Sequence, residues 1–375
     1  MPEKQILISA GEASSDMYAA RLVTALRERT QARFFGMGGP RMAEAGVELI
    51  ADYHEVAVVG IAEVLHKIPS VIGVQNRLKR EALRRHAALA ILVDSPGTHL
   101  GVARRMKQTG VKVGYFIGPQ VWAWRAGRVR IVKRRVNQMV VIFPFEEKIY
   151  CDAGVLVTFV GHPLVDVVKA SMTRAEFAAL HNLDANKPIV TILPGSRPSE
   201  IRQNYGRILE ACERLHRTNN EIQFVLAAAP NLTSDFFSPY ASSAVEMKQV
   251  RGATYDALAA ADCAIVASGT ATIEAALLGT PMVVIYRVRP LSAFILRRMI
   301  RTPFFSMVNL IAGRRVVTEL IQDDFTPEAV ESEVRRLLDS PGTTSEMRAS
   351  LAEVRAKLGP GGAIERAADI FAQML

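Results

Sequence analysis

The sequence predicts an open α/β fold built twice, as two doubly wound units of parallel strands covered by helices, and three observations lead there. Short apolar, β-branched runs recur without polar alternation, as strands buried on both faces require. Helical patterns separate these runs. The series also occurs twice, closing once near "VTFVGHPLVDVV" at 157–168 and restarting after "LDANKPIVTILPGSR" at 183–197. A chain of 375 residues that is 49% hydrophobic can bury two such cores.

Taken in order, the first strand is Ile6–Ile8, running into Ser9-Ala10-Gly11, and an amphipathic helix follows from Met17 to Leu26. The turn between them is where an open sheet collects ligands, yet it is not G-x-G-x-x-G. Gly11 lets a chain come close, while Glu12, Ser14, Ser15 and Asp16 set carboxylates and hydroxyls where a dinucleotide site keeps bare backbone. Such a turn suits a ligand rich in hydroxyls, or it caps its own helix through Ser14 or Ser15. Strands at Leu89–Val93, Val111–Phe116 and Gln138–Phe143 complete the first series, and the Leu89–Val93 strand ends in Asp94-Ser95-Pro96-Gly97.

The second series comprises Ile189–Leu193, Ile222–Ala227, Cys263–Ala267 and Met282–Tyr286. After its first strand comes Pro194-Gly195-Ser196-Arg197, whose glycine, hydroxyl and guanidinium suit phosphate oxygens, or whose arginine simply faces solvent. After its third comes Ser268-Gly269-Thr270-Ala271-Thr272 at a helix start, with Glu274 one turn in. These residues suit a second anion and sugar hydroxyls, or ordinary helix capping. Together they point to a nucleoside diphosphate. The tail reads as two helices around Gly359-Pro360-Gly361-Gly362. The expected organisation is residues 1–165, residues 166–345, and C-terminal helices at 346–375 that pack back on an N-terminal domain.

The net charge of +9 is local, because 77–86, 125–135 and 287–301 together carry more positive charge than the whole chain. Nucleic acid and anionic lipid are candidate partners for such patches, and solvated helix faces are the plain alternative. The 125–135 run lacks interleaved aromatics and no nucleic-acid signature is apparent, so no nucleic acid is expected. Three scattered cysteines without C-x-x-C or a histidine cluster predict neither disulfide nor metal. The N-terminal apolar stretch is too short for a signal sequence, and no apolar run spans a bilayer, so a cytoplasmic protein is expected.

Ordered along the chain stand "SAGEASSD", "DSPG", "GPQVWAWRAGR", "FPFE", "GHPLVD", "LPGSRPSEI", "SGTATIEAALLGTPMVV", "NLIAGRRVVTEL" and "GPGGAIERAA". Together they closely resemble the lipid-A-disaccharide synthase family over nearly the entire length. The resemblance implies two Rossmann-like domains facing a cleft, the GT-B type glycosyltransferase fold. It implies an inverting transfer from UDP-2,3-diacylglucosamine to 2,3-diacylglucosamine 1-phosphate (lipid X), forming a β-1,6 bond and releasing UDP. No cofactor and no metal are implied, and no D-x-D stands at a strand end to hold one. By similarity Asp94 is the base, where turn chemistry alone would make it a turn aspartate. Arg197 takes the diphosphate with Gly195, Ser196, Ser268, Gly269 and Thr270; Glu274 takes the ribose; Asn309 and Arg314 contact donor sugar or phosphate. Gly11, Glu12, Ser14 and Asp16 fall on the acceptor side. A homodimer with exchanged C-terminal segments is one assembly the family allows.

Acylated substrates imply an active site open to lipid, and 56–86 fits: an apolar stretch followed at once by a basic one. Val58, Val59, Ile61, Val64, Leu65, Ile68, Val71 and Ile72 are the expected inserting set, and 289–305 is a second candidate contact. Peripheral binding to the cytoplasmic face of the inner membrane, on its anionic lipid surface, follows. Trp122 and Trp124 could floor a sugar or acyl chain or simply pack, and a structural hydrogen bond is expected for His162. A UDP-sugar 2-epimerase or another UDP-sugar transferase of this fold would share the donor half but would have no use for the 56–86 segment.

Overall fold

The computed structural model describes residues 3–56, 61–122, 127–229, 237, 245–288 and 302–375, and only the backbone of 61–66. The chain forms two compact units, Met1–Pro163 with Gly359–Leu375, and Leu164–Leu358.

The first unit holds strands β1 (Lys4–Ala10), β2 (Ala32–Gly38), β3 (Glu48–Asp52), β4 (Leu89–Val93), β5 (Lys112–Phe116), β6 (Gln138–Val141) and β7 (Val157–Phe159). Every neighbouring pair is parallel, in the order β3-β2-β1-β4-β5-β6-β7. The second unit holds β8 (Ile189–Leu193), β9 (Gln223–Ala228), β10 (Met247–Arg251), β11 (Cys263–Ala267), β12 (Met282–Tyr286) and β13 (Thr318–Ile321). These are parallel too, in the order β10-β9-β8-β11-β12-β13. The continuous apolar runs are the central strands: β1, β4, β8 and β11 are buried along most or all of their length, as helices on both faces require.

Each sheet has one place where the strand order reverses, β1 beside β4 and β8 beside β11. There the crevice beyond the carboxyl ends is open to a ligand. The register decides what meets. Ala10 pairs with Val93, which sets Gly11 beside the Asp94 turn, and Val266 pairs with Leu193, which sets Ser268 beside Pro194.

Several strands differ from expectation. β2, β3, β7, β10 and β13 were not anticipated; β3, β7, β10 and β13 are the edge strands and are half-exposed, so they lack a continuous buried apolar run. β6 stops at Val141, because Phe143 is already the N-cap of the helix Pro144–Asp152.

The C-terminal helices also divide differently from the expected 346–375 block. The helix Pro341–Lys357 packs in the second unit, where Leu351 and Val354 are buried and Arg355 donates to the Leu277 carbonyl at 2.6 Å. The helix Ala363–Gln373 returns to the first unit, against the helix Ala13–Arg27. Phe371 is fully buried over Gly114, Arg29 pairs with Asp369 at 2.5 Å, and Lys112 donates to the Met374 carbonyl. The break falls at Gly359, where φ is +86° and an added Cβ would meet Gly161 Cα at 3.1 Å.

Candidate active site

The first unit builds its site from the turns after β1 and β4. Glu12 is the N-cap of the helix Ala13–Arg27. Ser15 is consumed there: its Oγ accepts from the N–H groups of Gly11 (3.1 Å) and Glu12 (3.0 Å) and donates to the Glu12 carbonyl (2.9 Å). Ser14 donates to Glu12 Oε1 at 2.7 Å and is exposed. Gly11 is required by closeness rather than by its φ, because a Cβ there would stand 2.5 Å from Ser95 Oγ.

Asp16 is placed differently from its expected acceptor-side role. It is 2% exposed, and its carboxylate accepts from the backbone N–H groups of Gly39 (2.7 Å), Arg41 (3.1 Å) and Met42 (3.3 Å). It therefore holds the start of the helix Pro40–Glu44, whose Pro40 brings no N–H of its own.

Asp94 and Ser95 both adopt the left-handed conformation, at φ 53° and 46°. The half-buried Asp94 carboxyl shares a hydrogen bond with that of Glu12. Burial first, and the Glu12 charge second, push the Asp94 carboxyl up to about 7. The Asp94 backbone is held by β5 and by the helix that follows the turn. Its N–H donates to Phe116 O at 2.9 Å, and its carbonyl accepts from Tyr115 Oη (2.7 Å) and His99 Nδ1 (2.7 Å). His99 Nε2 then accepts a hydrogen bond from Ser9 Oγ at 2.9 Å, and burial lowers the ring to about 4, so His99 is neutral.

Nearby, Glu146 is buried, accepts from Trp122 Nε1 (3.2 Å) and Phe143 N (3.3 Å), and is pushed up to about 8, chiefly by burial, with Asp94 a minor contributor. Trp122 meets Phe145 and Phe143 edge-on, at 5.2 and 6.5 Å between ring centres. His162 is buried, its ring 5.2 Å from that of Phe143, and burial lowers it to about 3. Trp124 lies outside the described residues.

The second unit has its own pocket of about 730 Å³ at the β8–β11 reversal. Gly195, Ser196, Arg197, Ser268, Gly269, Thr270 and Glu274 all line it, so seven of the expected donor residues meet in one place. Gly195 has φ 129°, and Arg197 is 72% exposed on its side chain. Glu200 Oε2 accepts from the N–H groups of Ser196 (3.2 Å) and Arg197 (3.3 Å), and Oε1 takes Arg197 Nη1 at 3.0 Å. A carboxylate thus sits on the donors that a phosphate would use. Glu274 is half-buried, accepts from Tyr255 Oη at 3.4 Å, and is raised by burial. Lys169 and Tyr255 line the pocket as well and were not singled out in the sequence.

Asn309 and Arg314 do not line it. Asn309 is fully buried and closes its own loop, accepting from Val316 N (2.7 Å) and Val317 N (3.0 Å) and donating to Val317 O and Glu319. Arg314 pairs with Glu353 at 2.8 Å and donates to Ser350 Oγ. Among the described residues, no three His, Cys, Asp or Glu side chains gather as a metal site.

On the helix Ile61–Arg84, Val74, Leu78 and Ala82 face the core, and Val71 packs against it, which removes Val71 from the expected inserting set. Ile68 and Ile72 are 44% and 45% exposed and one turn apart. Val58 and Val59 lie outside the described residues, as do 289–301 and the side chains of Ile61, Val64 and Leu65. Among the described residues no helix is long and apolar enough to cross a membrane.

The chain matches the sequence model of the lipid-A-disaccharide synthetase family over residues 6–363. It is 45% identical to the lipid-A-disaccharide synthase of Geobacter metallireducens, covering 100% of this chain and 98% of the other. It is 43% identical to that of Myxococcus xanthus, covering 99% and 97%. Among solved structures it resembles S. aureus MnaA with UDP (TM-score 0.68, 13% identity, 99% and 98% covered). It also resembles UDP-GlcNAc 2-epimerase of Neisseria meningitidis bound to UDP-GlcNAc (TM-score 0.66, 12% identity, 98% and 100% covered). At such identities the structural likeness speaks for the fold alone.

Proposed function

The chain belongs to the lipid-A-disaccharide synthase family, glycosyltransferases of lipid A biosynthesis, and from that premise we propose how its two units divide the reaction. The donor is UDP-2,3-diacylglucosamine and the acceptor 2,3-diacylglucosamine 1-phosphate. As the acceptor O6 attacks the anomeric carbon, Asp94 takes the hydroxyl proton. The bond from that carbon to the UDP oxygen breaks, and its electron pair leaves on the diphosphate. A single displacement of this kind gives a β-1,6 disaccharide with inversion.

The observation that carries this reading is the Asp94 carboxyl at the strand-order reversal of the first sheet, paired with Glu12. A base working near neutrality should have a pKa near the ambient pH, and about 7 meets that condition. Arg197 and the N–H groups at Gly269 and Thr270 meet the charge on the leaving diphosphate, which displaces Glu200 from Arg197 as it binds. Glu274 accepts from the ribose. On the acceptor side we keep Gly11, Glu12 and Ser14 and leave Asp16 to its helix.

We further propose that the enzyme works at an anionic inner-membrane surface, with Ile68 and Ile72 entering the interface. Exposed isoleucines one turn apart, on a helix that turns basic toward Arg84, support this.

The test is UDP release in detergent micelles from UDP-2,3-diacylglucosamine with and without lipid X, with the product weighed by mass spectrometry. Acceptor-dependent release with a tetra-acylated disaccharide 1-phosphate is expected. Conversion of the donor without acceptor, or UDP binding without disaccharide, would refute the acceptor assignment.

A further inference from the structure

We propose that His99 and Tyr115 are positioning residues that hold the Asp94 peptide in its left-handed conformation and so keep the Asp94 carboxyl beside Glu12. This rests on the reading of Asp94 as the base.

Two consecutive residues with β-carbons at φ 53° and 46° are an uncommon pair, since the left-handed region is disfavoured for all but glycine and occasionally asparagine or aspartate. Local bonds hold Ser95, whose carbonyl accepts from Thr98 N (3.1 Å) and His99 N (3.0 Å), but none of them reaches the Asp94 carbonyl. Ser95 is the N-cap of the helix Pro96–Gln108 but makes no side-chain capping bond, and Pro96 follows it directly. What holds the Asp94 carbonyl is a pair of side-chain donors, one from the helix that follows the turn and one from the neighbouring strand, each at 2.7 Å. His99 comes from one turn into the helix and Tyr115 from β5.

A carbonyl oxygen has two lone pairs, and here both have fixed partners. Rotation of the peptide plane, which would carry the Asp94 side chain away from Glu12, breaks both bonds at once. The donors are themselves fixed. Tyr115 is fully buried, 6.3 Å from the His99 ring in an edge contact, and Ser9 on β1 anchors the far nitrogen of His99, whose tautomer the Asp94 carbonyl sets by accepting from Nδ1. Ser9 and Tyr115 flank Asp94 because β1 and β5 flank β4 in the sheet. Neither donor reaches the reacting atoms, so both act through Asp94 alone.

Steady-state UDP release by the full chain, measured for Tyr115→Phe, His99→Leu, His99→Gln and Asp94→Asn, tests this. Tyr115→Phe removes one donor and leaves the ring in place; His99→Leu removes the other; His99→Gln keeps an amide donor within reach of the carbonyl. His99→Leu is expected to lower kcat about 10-fold to 100-fold, the scale of a misplaced catalytic group. Tyr115→Phe is expected to lower kcat by about 5-fold, the scale of one net hydrogen bond. KM for both substrates and the affinity for UDP stay within about twofold, because those contacts are not touched. His99→Gln recovers most of the rate, which a purely structural role for the imidazole would not produce.

Wild-type kcat in both Tyr115→Phe and His99→Leu, or a loss confined to KM, overturns the positioning role. Should His99→Leu not fold, Tyr115→Phe decides alone. An active Asp94→Asn would overturn the reading of Asp94 itself. An inactive Asp94→Asn beside fully active Tyr115→Phe and His99→Leu would overturn only the positioning role of His99 and Tyr115.

Discussion

Replacing Asp94 by asparagine should make the protein more stable at alkaline pH while abolishing turnover. The carboxyl rises from an ordinary 3.8 to about 7, because ionising it means charging a half-buried group beside Glu12. Between these values the folded chain holds a proton that the unfolded chain releases. Stability therefore falls as pH rises through the window, and the loss is complete above about pH 7. Three pH units at 1.36 kcal/mol each set an upper bound of about 4 kcal/mol, and relaxation of the turn brings the expected gain for Asp94→Asn to about 1–4 kcal/mol at pH 8. For a unit of this size that is a rise of about 3–10 °C in the melting midpoint of the first unit. Calorimetric scans of both proteins from pH 4 to pH 8 read it directly. The difference should open steadily with pH, and it isolates Asp94 because Glu146 titrates in both proteins. Parallel pH dependences, or a variant that melts lower at pH 8, would refute the placement of an ionisable carboxyl against Glu12.

Three further outcomes follow from the placement of single side chains. Arg197→Ala should weaken UDP binding by at least about 10-fold in calorimetric titration, as expected for a lost charge-assisted contact, whereas Asp94→Asn should bind UDP as the wild type does. Asp16→Ala leaves three backbone N–H groups without their acceptor, and should lower stability in urea by about 1–3 kcal/mol with kcat per folded molecule retained. Ile68→Ser with Ile72→Ser removes exposed isoleucines only, so the melting midpoint should move by less than about 2 °C while co-sedimentation with anionic vesicles falls. An unfolded double variant would place both residues in the core instead.

The turns after the central strands were legible because the information is local. A parallel strand buried on both faces must be a continuous apolar run, and whatever follows it must lie at the carboxyl edge. Asp94, Arg197 and Gly269 could be located that way, and whole-family resemblance then attached roles to them. Strand-end logic did not foresee the partners of Asp16, and family resemblance did not foresee those of Asn309. A polar side chain looks available until its partners are known, and those partners lie 23 residues away at Gly39 for Asp16 and at Val316, Val317 and Glu319 for Asn309. Val71 sits in an apolar stretch whose periodicity Pro69 obscures, and only packing separates it from Ile68 and Ile72.

By itself, then, the sequence determined the two parallel-sheet units, the positions of the turns that follow their central strands, and the family. Each of these depends on residue type and order within a short window, or on their succession along the whole chain. Tertiary structure decided which polar groups remain free to act. The strand order brings β1, β4 and β5 side by side, and with them Ser9, the Asp94 turn with His99, and Tyr115, from three parts of the chain. Burial there raises Asp94 and keeps His99 neutral. Hydrogen bonds and desolvation act through space, so residues distant in sequence set the charge of a turn whose own residues are unremarkable.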